Sequence, residues 1–159
     1  MTQRVGLGYD VHRVKAGCPL VLGGVRFESD WGLVGHSDAD VVAHAVGDAL
    51  LGAAGLGDLG EHFPPGDPKW KDASSLDLLS RIASLLKANG TRALNVDAMV
   101  VAESPKIAPH RAEMCANIAR SLGMEASCVS VKATTNETLG AIGRREGLAA
   151  MAVAMVERT

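Results

Sequence analysis

Hydrophobic and polar positions divide the chain into short alternating runs and three longer helical ones. "RVGLGYDVH" at 4–12 predicts a strand ending on polar groups, and "PLVLGGVRF" predicts a short strand or hairpin over 20–27. Ser37 can cap a helix, with Asp40 three residues on as the short form of a capping-box acid. Helical spacing then runs to Ala54, with Val42, Val46, Ala49 and Ala53 on one face and Asp40, His44 and Asp48 on the other. Gly55 and Gly57 end it. Residues 57–73, rich in Pro, Gly and mixed charge, predict a loop, with Phe63 and Trp70 able to close it over a ligand.

A second helix is predicted over 74–90, with Asp77 in its first turn and Gly90 as its stop. A strand over 93–103, the turn "SPKIAPH", a helix from His110 to Gly123 and a strand over 128–134 follow. A Gly-rich polar connection leads to the tail "LAAMAVAMVE", which suits a strand by connectivity and a helix by its Ala and Met content. The order, roughly β-β-α-α-β-α-β-β, predicts one α/β or α+β domain with helices covering one face of a sheet.

Composition and charge narrow the picture further. The 159 residues are 47% apolar but only 3% aromatic, so the core is built from small side chains and apolar faces are available for packing against copies of the chain. A formal charge of −2 gives no long-range attraction to nucleic acid or anionic membrane. No apolar run reaches membrane-spanning length, and the N-terminus lacks a secretory pattern. Cys18, Cys115 and Cys128, odd in number and scattered, read as reduced thiols. The expected compartment is the cytoplasm for a bacterial chain, or the plastid stroma where a transit peptide has been removed.

Asp10 and His12, two apart on a strand, present side chains to the same side, and His44 supplies a third group from the helix. Three such ligands with an open fourth position suit catalytic zinc, while isolated histidines also serve as ordinary hydrogen-bonding groups. Asp40 or Asp48 can orient the His44 imidazole or hold a second cation; an acidic stripe facing solvent has the same spacing. His36 and Ser37 stand where a helix start attracts phosphate. Asp58 suits a sugar-like hydroxyl, and Lys69 and Lys71 suit phosphate charge. "KATTNETLGAIGRREG" offers Lys132, Thr134, Thr135, Glu137, Arg144 and Arg145 for a diphosphate with a divalent ion. No Walker loop, dinucleotide fingerprint, Gly-x-Ser-x-Gly elbow or Cys-x-x-Cys occurs. The chemistry points to metal-assisted phosphoryl transfer on a small phosphorylated substrate.

"GYDVH", "GLVGHSDADVVAHAVGDALLGAAGLGDLGEHFP", "AESPKIAPH", "KATTNETLG" and "GRREG" resemble, in order and spacing, the 2-C-methyl-D-erythritol 2,4-cyclodiphosphate synthases of the non-mevalonate isoprenoid route. The resemblance implies an α/β domain spanning 1–159, with a four-stranded mixed sheet, helices outside, and a homotrimer around a central axis. The active site would lie between neighbouring subunits. It implies Zn2+ or a similar ion on Asp10, His12 and His44, and Mg2+ or Mn2+ on Glu137. The substrate would be 4-CDP-2-C-methyl-D-erythritol 2-phosphate and the leaving product CMP. His36 and Ser37 would hold phosphate, with Asp58, Leu59 and Gly60 at the methylerythritol. Ala102, Pro105, Lys106, Ile107 and Ala108 would form the cytosine pocket. Ala133, Thr134, Thr135, Asn136 and Arg144 would flank ribose and diphosphate, and His36, Asp58 and Thr135 would carry the catalytic roles. Two positions depart from the pattern. Ala141 stands where an aromatic often closes a central cavity for an isoprenoid diphosphate, and Pro65 stands where an acidic residue is common.

Overall fold

The computed structural model describes residues 1–158. Its first strand, β1 (Thr2–Ala16), is followed by a hairpin of β2 (Leu20–Leu22) and β3 (Val25–Phe27) and by a short β4 (Trp31–Val34). Helix α1 (Val41–Ala54), the one-turn α2 (Leu59–His62) and α3 (Ser75–Ala88) precede β5 (Thr91–Val101). Then come α4 (Arg111–Leu122), β6 (Val129–Thr134), the one-turn α5 (Gly140–Gly143) and β7 (Gly147–Arg158).

The tail is therefore a strand, and a central one. The sheet order is β4-β1-β7-β5-β6, with only β5 and β6 parallel. A 12-residue strand running between two partners satisfies its backbone groups on both edges, which outweighs the helical leaning of its alanines. The sheet has five strands rather than the four expected. The additional one, β4, pairs Trp31–Val34 against Arg13–Ala16; its residues, "WGLV", do not alternate apolar with polar and include a glycine, so no period-2 pattern announces it. The loop expected over 57–73 also holds α2 and a 3-10 turn at Pro68–Trp70.

Helices α1, α3 and α4 cover one face, burying Leu50, Leu79, Ile82, Met114 and Ile118 against Val96, Ala98 and Val100 of β5. Small residues set the distance between layers. A Cβ placed on Gly8 would lie 1.9 Å from the Ala45 carbonyl oxygen, and one on Gly6 would lie 2.0 Å from that of Ala49. Helix α1 thus rests directly on the β1 backbone. That close approach brings His44, next to Ala45, over the continuation of the same strand at Asp10 and His12.

The start of α1 differs from the expected one. Asp40, not Ser37, is the N-cap, accepting from the Val42 and Ala43 amides at 3.1 Å each. Its carboxylate also accepts from Gly23 N (2.9 Å) and Gly24 N (2.7 Å) in the β2–β3 turn. Asp40 is fully buried and ties hairpin to helix, so it neither orients His44 nor faces a second cation.

Candidate metal centre and active-site cleft

Asp10 and His12 alternate along β1 and share a face, and His44 reaches them from the second turn of α1. Asp10 Oδ2 lies 3.0 Å from His12 Nε2 and 3.0 Å from His44 Nδ1, and the two nitrogens are 3.3 Å apart. Ligand atoms bound tetrahedrally at 2.0–2.1 Å stand about 3.3–3.4 Å from one another, so this triangle fits a zinc-sized ion with little adjustment. Among the described residues it is the one group of three or more His, Cys, Asp or Glu side chains close enough to share a metal.

The far sides of both rings are also fixed. His12 Nδ1 lies 2.7 Å from the Val34 carbonyl, which can only accept, so this nitrogen carries a proton and Nε2 faces the centre, where an ion would displace the proton it shares with Asp10. His44 Nε2 lies 3.0 Å from Ser37 Oγ and 2.9 Å from Ser75 Oγ. Ser75 is 1% exposed, and its hydroxyl donates to Asp38. Neither Ser75 nor Asp38 was picked out by sequence pattern, because a serine in a helix start and an acid in "HSDAD" are ordinary helix-start residues.

Burial alone would push the Asp10 carboxyl up, but hydrogen bonds from His12 and His44, and their charge, outweigh it and hold it below the ordinary carboxylate range. Burial likewise pulls His12 down, but the hydrogen bond to Asp10, its charge, the Val34 carbonyl and the charge of Asp38 raise it above its ordinary 6.5. In the metal-free protein, the stabilisation from His12 is complete below pH 6.5 and lost as pH rises through the raised value. That from Asp10 is present above 3.8 and lost as pH falls through the lowered value. Metal must displace the His12 proton, so its contribution grows where the proton's fades. The rise in melting temperature on adding zinc should increase as pH is raised through and beyond 6.5. A shift that stays constant across that range would contradict the assignment.

The triangle lies in a cleft of about 270 Å³ lined also by His36, Ser37, Asp48, Leu59, Gly60, Phe63 and Trp70. Asp58 caps α2, one oxygen accepting from Glu61 N at 3.0 Å. Asp48 accepts from Leu59 N at 2.8 Å, which places α2 at the rim; burial raises its carboxyl. It is neither a ligand of the triangle nor the orienter of His44. His36 Nε2 meets the Asp67 carbonyl at 3.1 Å, joining the helix-start loop to the 57–73 segment. Phe63 and Trp70 meet edge-on at 5.0 Å, and Lys69 and Arg81 stack on Trp70. Lys69 is thus partly engaged with an aromatic face.

The remaining predicted residues gather elsewhere. Asp10, Ala150, Val100 and Ala133 form one row across β1, β7, β5 and β6. At ~4.8 Å per strand, Ala133 stands about 14 Å from Asp10. Around it, at the ends of β5 and β6, lie Ala102, Pro105, Lys106, Ile107 and Ala108 on one turn and Thr134, Thr135, Asn136 and Glu137 on another. Glu103, which sequence reasoning missed, joins them: its Oε1 accepts from Asn136 N (2.8 Å) and Thr138 N (3.3 Å). Thr135 Oγ1 accepts from Glu137 N at 3.2 Å and lies 3.4 Å from Glu137 Oε1. Arg144 Nε donates to Glu146 at 2.7 Å, and Lys132 is paired with Asp97 on the neighbouring strand, so neither cation is without a carboxylate. Glu137 does not join the Asp10 triangle within one chain.

The metal triangle and this second cluster of polar residues thus lie on one sheet, about 14 Å apart. The profile of the YgbB family matches residues 3–157. The chain belongs to the YgbB family. It is 59% identical over 152 residues to the 2-C-methyl-D-erythritol 2,4-cyclodiphosphate synthase of Symbiobacterium thermophilum, covering 96% of this chain and 97% of that one. Its fold superposes on a Plasmodium falciparum IspF in complex with CDP with a TM-score of 0.86, at 32% identity, over 99% of this chain and 97% of that one. On a bifunctional IspDF from Campylobacter jejuni the TM-score is 0.95 at 42% identity, covering 99% of this chain but 43% of that longer one. The YgbB chain described here therefore joins a divalent-metal triangle to a shared mixed-sheet fold.

Proposed function

We propose that this chain converts 4-CDP-2-C-methyl-D-erythritol 2-phosphate to 2-C-methyl-D-erythritol 2,4-cyclodiphosphate and CMP. The observation that carries this reading is the Asp10–His12–His44 triangle, with one ring nitrogen of each imidazole turned inward, at the head of a cleft that also holds His36 and Ser37. The 2-phosphate attacks the β-phosphorus, its oxygen replaces the CMP oxygen there, and the bond to CMP breaks. The attacking phosphate is already an anion at neutral pH, so the task is positioning and charge neutralisation.

Asp10, His12 and His44, two imidazoles and a carboxylate that favour zinc, would hold a divalent ion, which would supply positive charge to neutralise phosphate oxygens. His36 and Ser37 hold the 2-phosphate at the mouth of α1. The Asp58 oxygen not engaged by Glu61 N accepts from the methylerythritol hydroxyls, beside Leu59 and Gly60. At the other half-site, Ala102 and the 105–108 turn take cytosine through backbone groups. Thr134, Thr135, Asn136 and Arg144 flank the ribose and diphosphate. Glu137, beside Thr135, suits Mg2+ or Mn2+ at the leaving phosphate.

A homotrimer brings the two half-sites together. The sheet face away from the helices exposes Val5, Leu7, Tyr9 and Val11 of β1 and Met151 and Val153 of β7. Register sets Leu7 beside Val153 and Tyr9 beside Met151, giving a continuous apolar surface that solvent does not favour. Packing this face around an axis covers it and lets one chain's metal half meet another's nucleotide half.

Product identity tests the reading. Incubation with the CDP substrate, zinc and magnesium, followed by phosphorus NMR, should show CMP and a cyclic diphosphate appearing together. CMP with an open-chain 2,4-bisphosphate, two separate phosphate esters, would instead mean that water attacks, and would replace cyclisation by hydrolysis.

A further inference from the structure

We propose that Ser75, held by Asp38, is the positioning residue that sets the tautomer and orientation of the His44 ring at the metal centre. The inference rests on the metal reading above and concerns two residues outside the metal triangle. Ser75 Oγ lies 2.9 Å from His44 Nε2, and its single proton is committed to an Asp38 oxygen. A hydroxyl whose proton is given away can only accept on its other side. Nε2 of His44 must therefore carry a proton and donate it to Ser75, which makes Nδ1 the nitrogen that faces Asp10 and His12 and is open to an ion.

Two serines reach the same nitrogen, and the surroundings separate them. Ser75 is 1% exposed and gives its backbone N–H to the other Asp38 oxygen at 2.8 Å, so Asp38 grips it twice. Ser37 lines the cleft and has no carboxylate partner among the described residues, so its proton stays available to a ligand phosphate. Asp38 also accepts from Asp40 N at 3.2 Å. The strand-like contact Asp38 N to Ala73 O (3.1 Å) and Asp72 N to His36 O (3.0 Å) fixes the two loops side by side. The start of α3 is in this way coupled to the orientation of a ligand on α1. A carboxylate behind the serine makes Ser75 a stronger acceptor than a free hydroxyl, as outer partners of metal-binding histidines commonly are.

Zinc titration by calorimetry and proton NMR of the zinc-loaded protein test this together. Unaltered protein should show a slowly exchanging His44 Nε2–H with a nuclear Overhauser contact to the Ser75 methylene. Ser75→Ala should bind zinc about 10–100-fold more weakly and lose that resonance, while its metal-free unfolding stays cooperative. Ser37→Ala should weaken zinc less and keep the resonance. A folded Ser75→Ala with unaltered zinc affinity and a protected Nε2–H would overturn the proposal. So would a rapidly exchanging Nε2–H in the unaltered zinc-loaded protein, a result that does not depend on any variant folding. Unaltered protein that takes up no zinc would overturn the metal centre itself, which the other outcomes leave standing.

Discussion

His44→Ala should leave a folded protein that holds no metal at the Asp10 triangle and has lost cyclisation almost completely. His44 is half-buried at the edge of the core, and the α1 residues that pack on the sheet, Ala45, Ala49 and Ala53 among them, are untouched. Removing the ring deletes one of three donors and leaves Asp10 and His12, two groups of a single strand, which cannot enclose an ion from two sides. Charge stabilisation by a bound metal is worth several kcal/mol in the transition state, and each 1.36 kcal/mol is tenfold in rate. The expected fall in kcat is on the order of 10³-fold or more. Metal content per chain and turnover, measured on the same preparation, check it. Full metal retention with wild-type turnover would remove His44 from the ligand set.

Asp40→Ala should be the most damaging single substitution for stability among the polar residues. Four amides, those of Gly23, Gly24, Val42 and Ala43, converge on a carboxylate with no solvent exposure. Burial raises the Asp40 carboxyl, against the lowering effect of those amides, so the site is held together by the donors rather than by any cation. Truncation orphans the helix cap and the hairpin turn at once. A lost cap costs about 1 kcal/mol and each buried unsatisfied donor about 1–3 kcal/mol, so the total is on the order of 4 kcal/mol. That is a large fraction of the roughly 5–15 kcal/mol by which a domain is stable. Urea unfolding should show a midpoint lowered at unchanged slope, and Asp40→Asn, which keeps an accepting oxygen, should lose less. A variant within about 1 kcal/mol of the parent would mean water or backbone movement satisfies those amides.

What could be read from the residues follows from the range over which each interaction acts. Asp10 and His12 were legible because a strand's two-residue period puts them on one side, and His44 because helical spacing set it apart from the apolar stripe. The closeness of the three was legible only through the resemblance, since it depends on Gly6 and Gly8 letting α1 lie on the β1 backbone. The tail's alanines gave opposite answers from propensity and connectivity, and pairing on both edges decided for β7. Short β4 escaped notice because "WGLV" does not alternate apolar with polar. Asp40 and Asp38 sit two apart in "HSDAD" and look interchangeable there. One turns inward to the β2–β3 turn and the other toward Ser75, 37 positions on, and no local pattern distinguishes them. Glu103 was missed for the same reason, because the amides it accepts from come after β6.

The central claim is that Asp10, His12 and His44 form the metal centre on which cyclisation depends. Crystals grown with zinc and CDP, measured on both sides of the zinc absorption edge, test it most directly. An anomalous peak is expected within bonding distance of Asp10 Oδ2, His12 Nε2 and His44 Nδ1 in every subunit, absent from crystals of His44→Ala. Density showing those three side chains joined only by hydrogen bonds, with zinc bound elsewhere or nowhere, would contradict it.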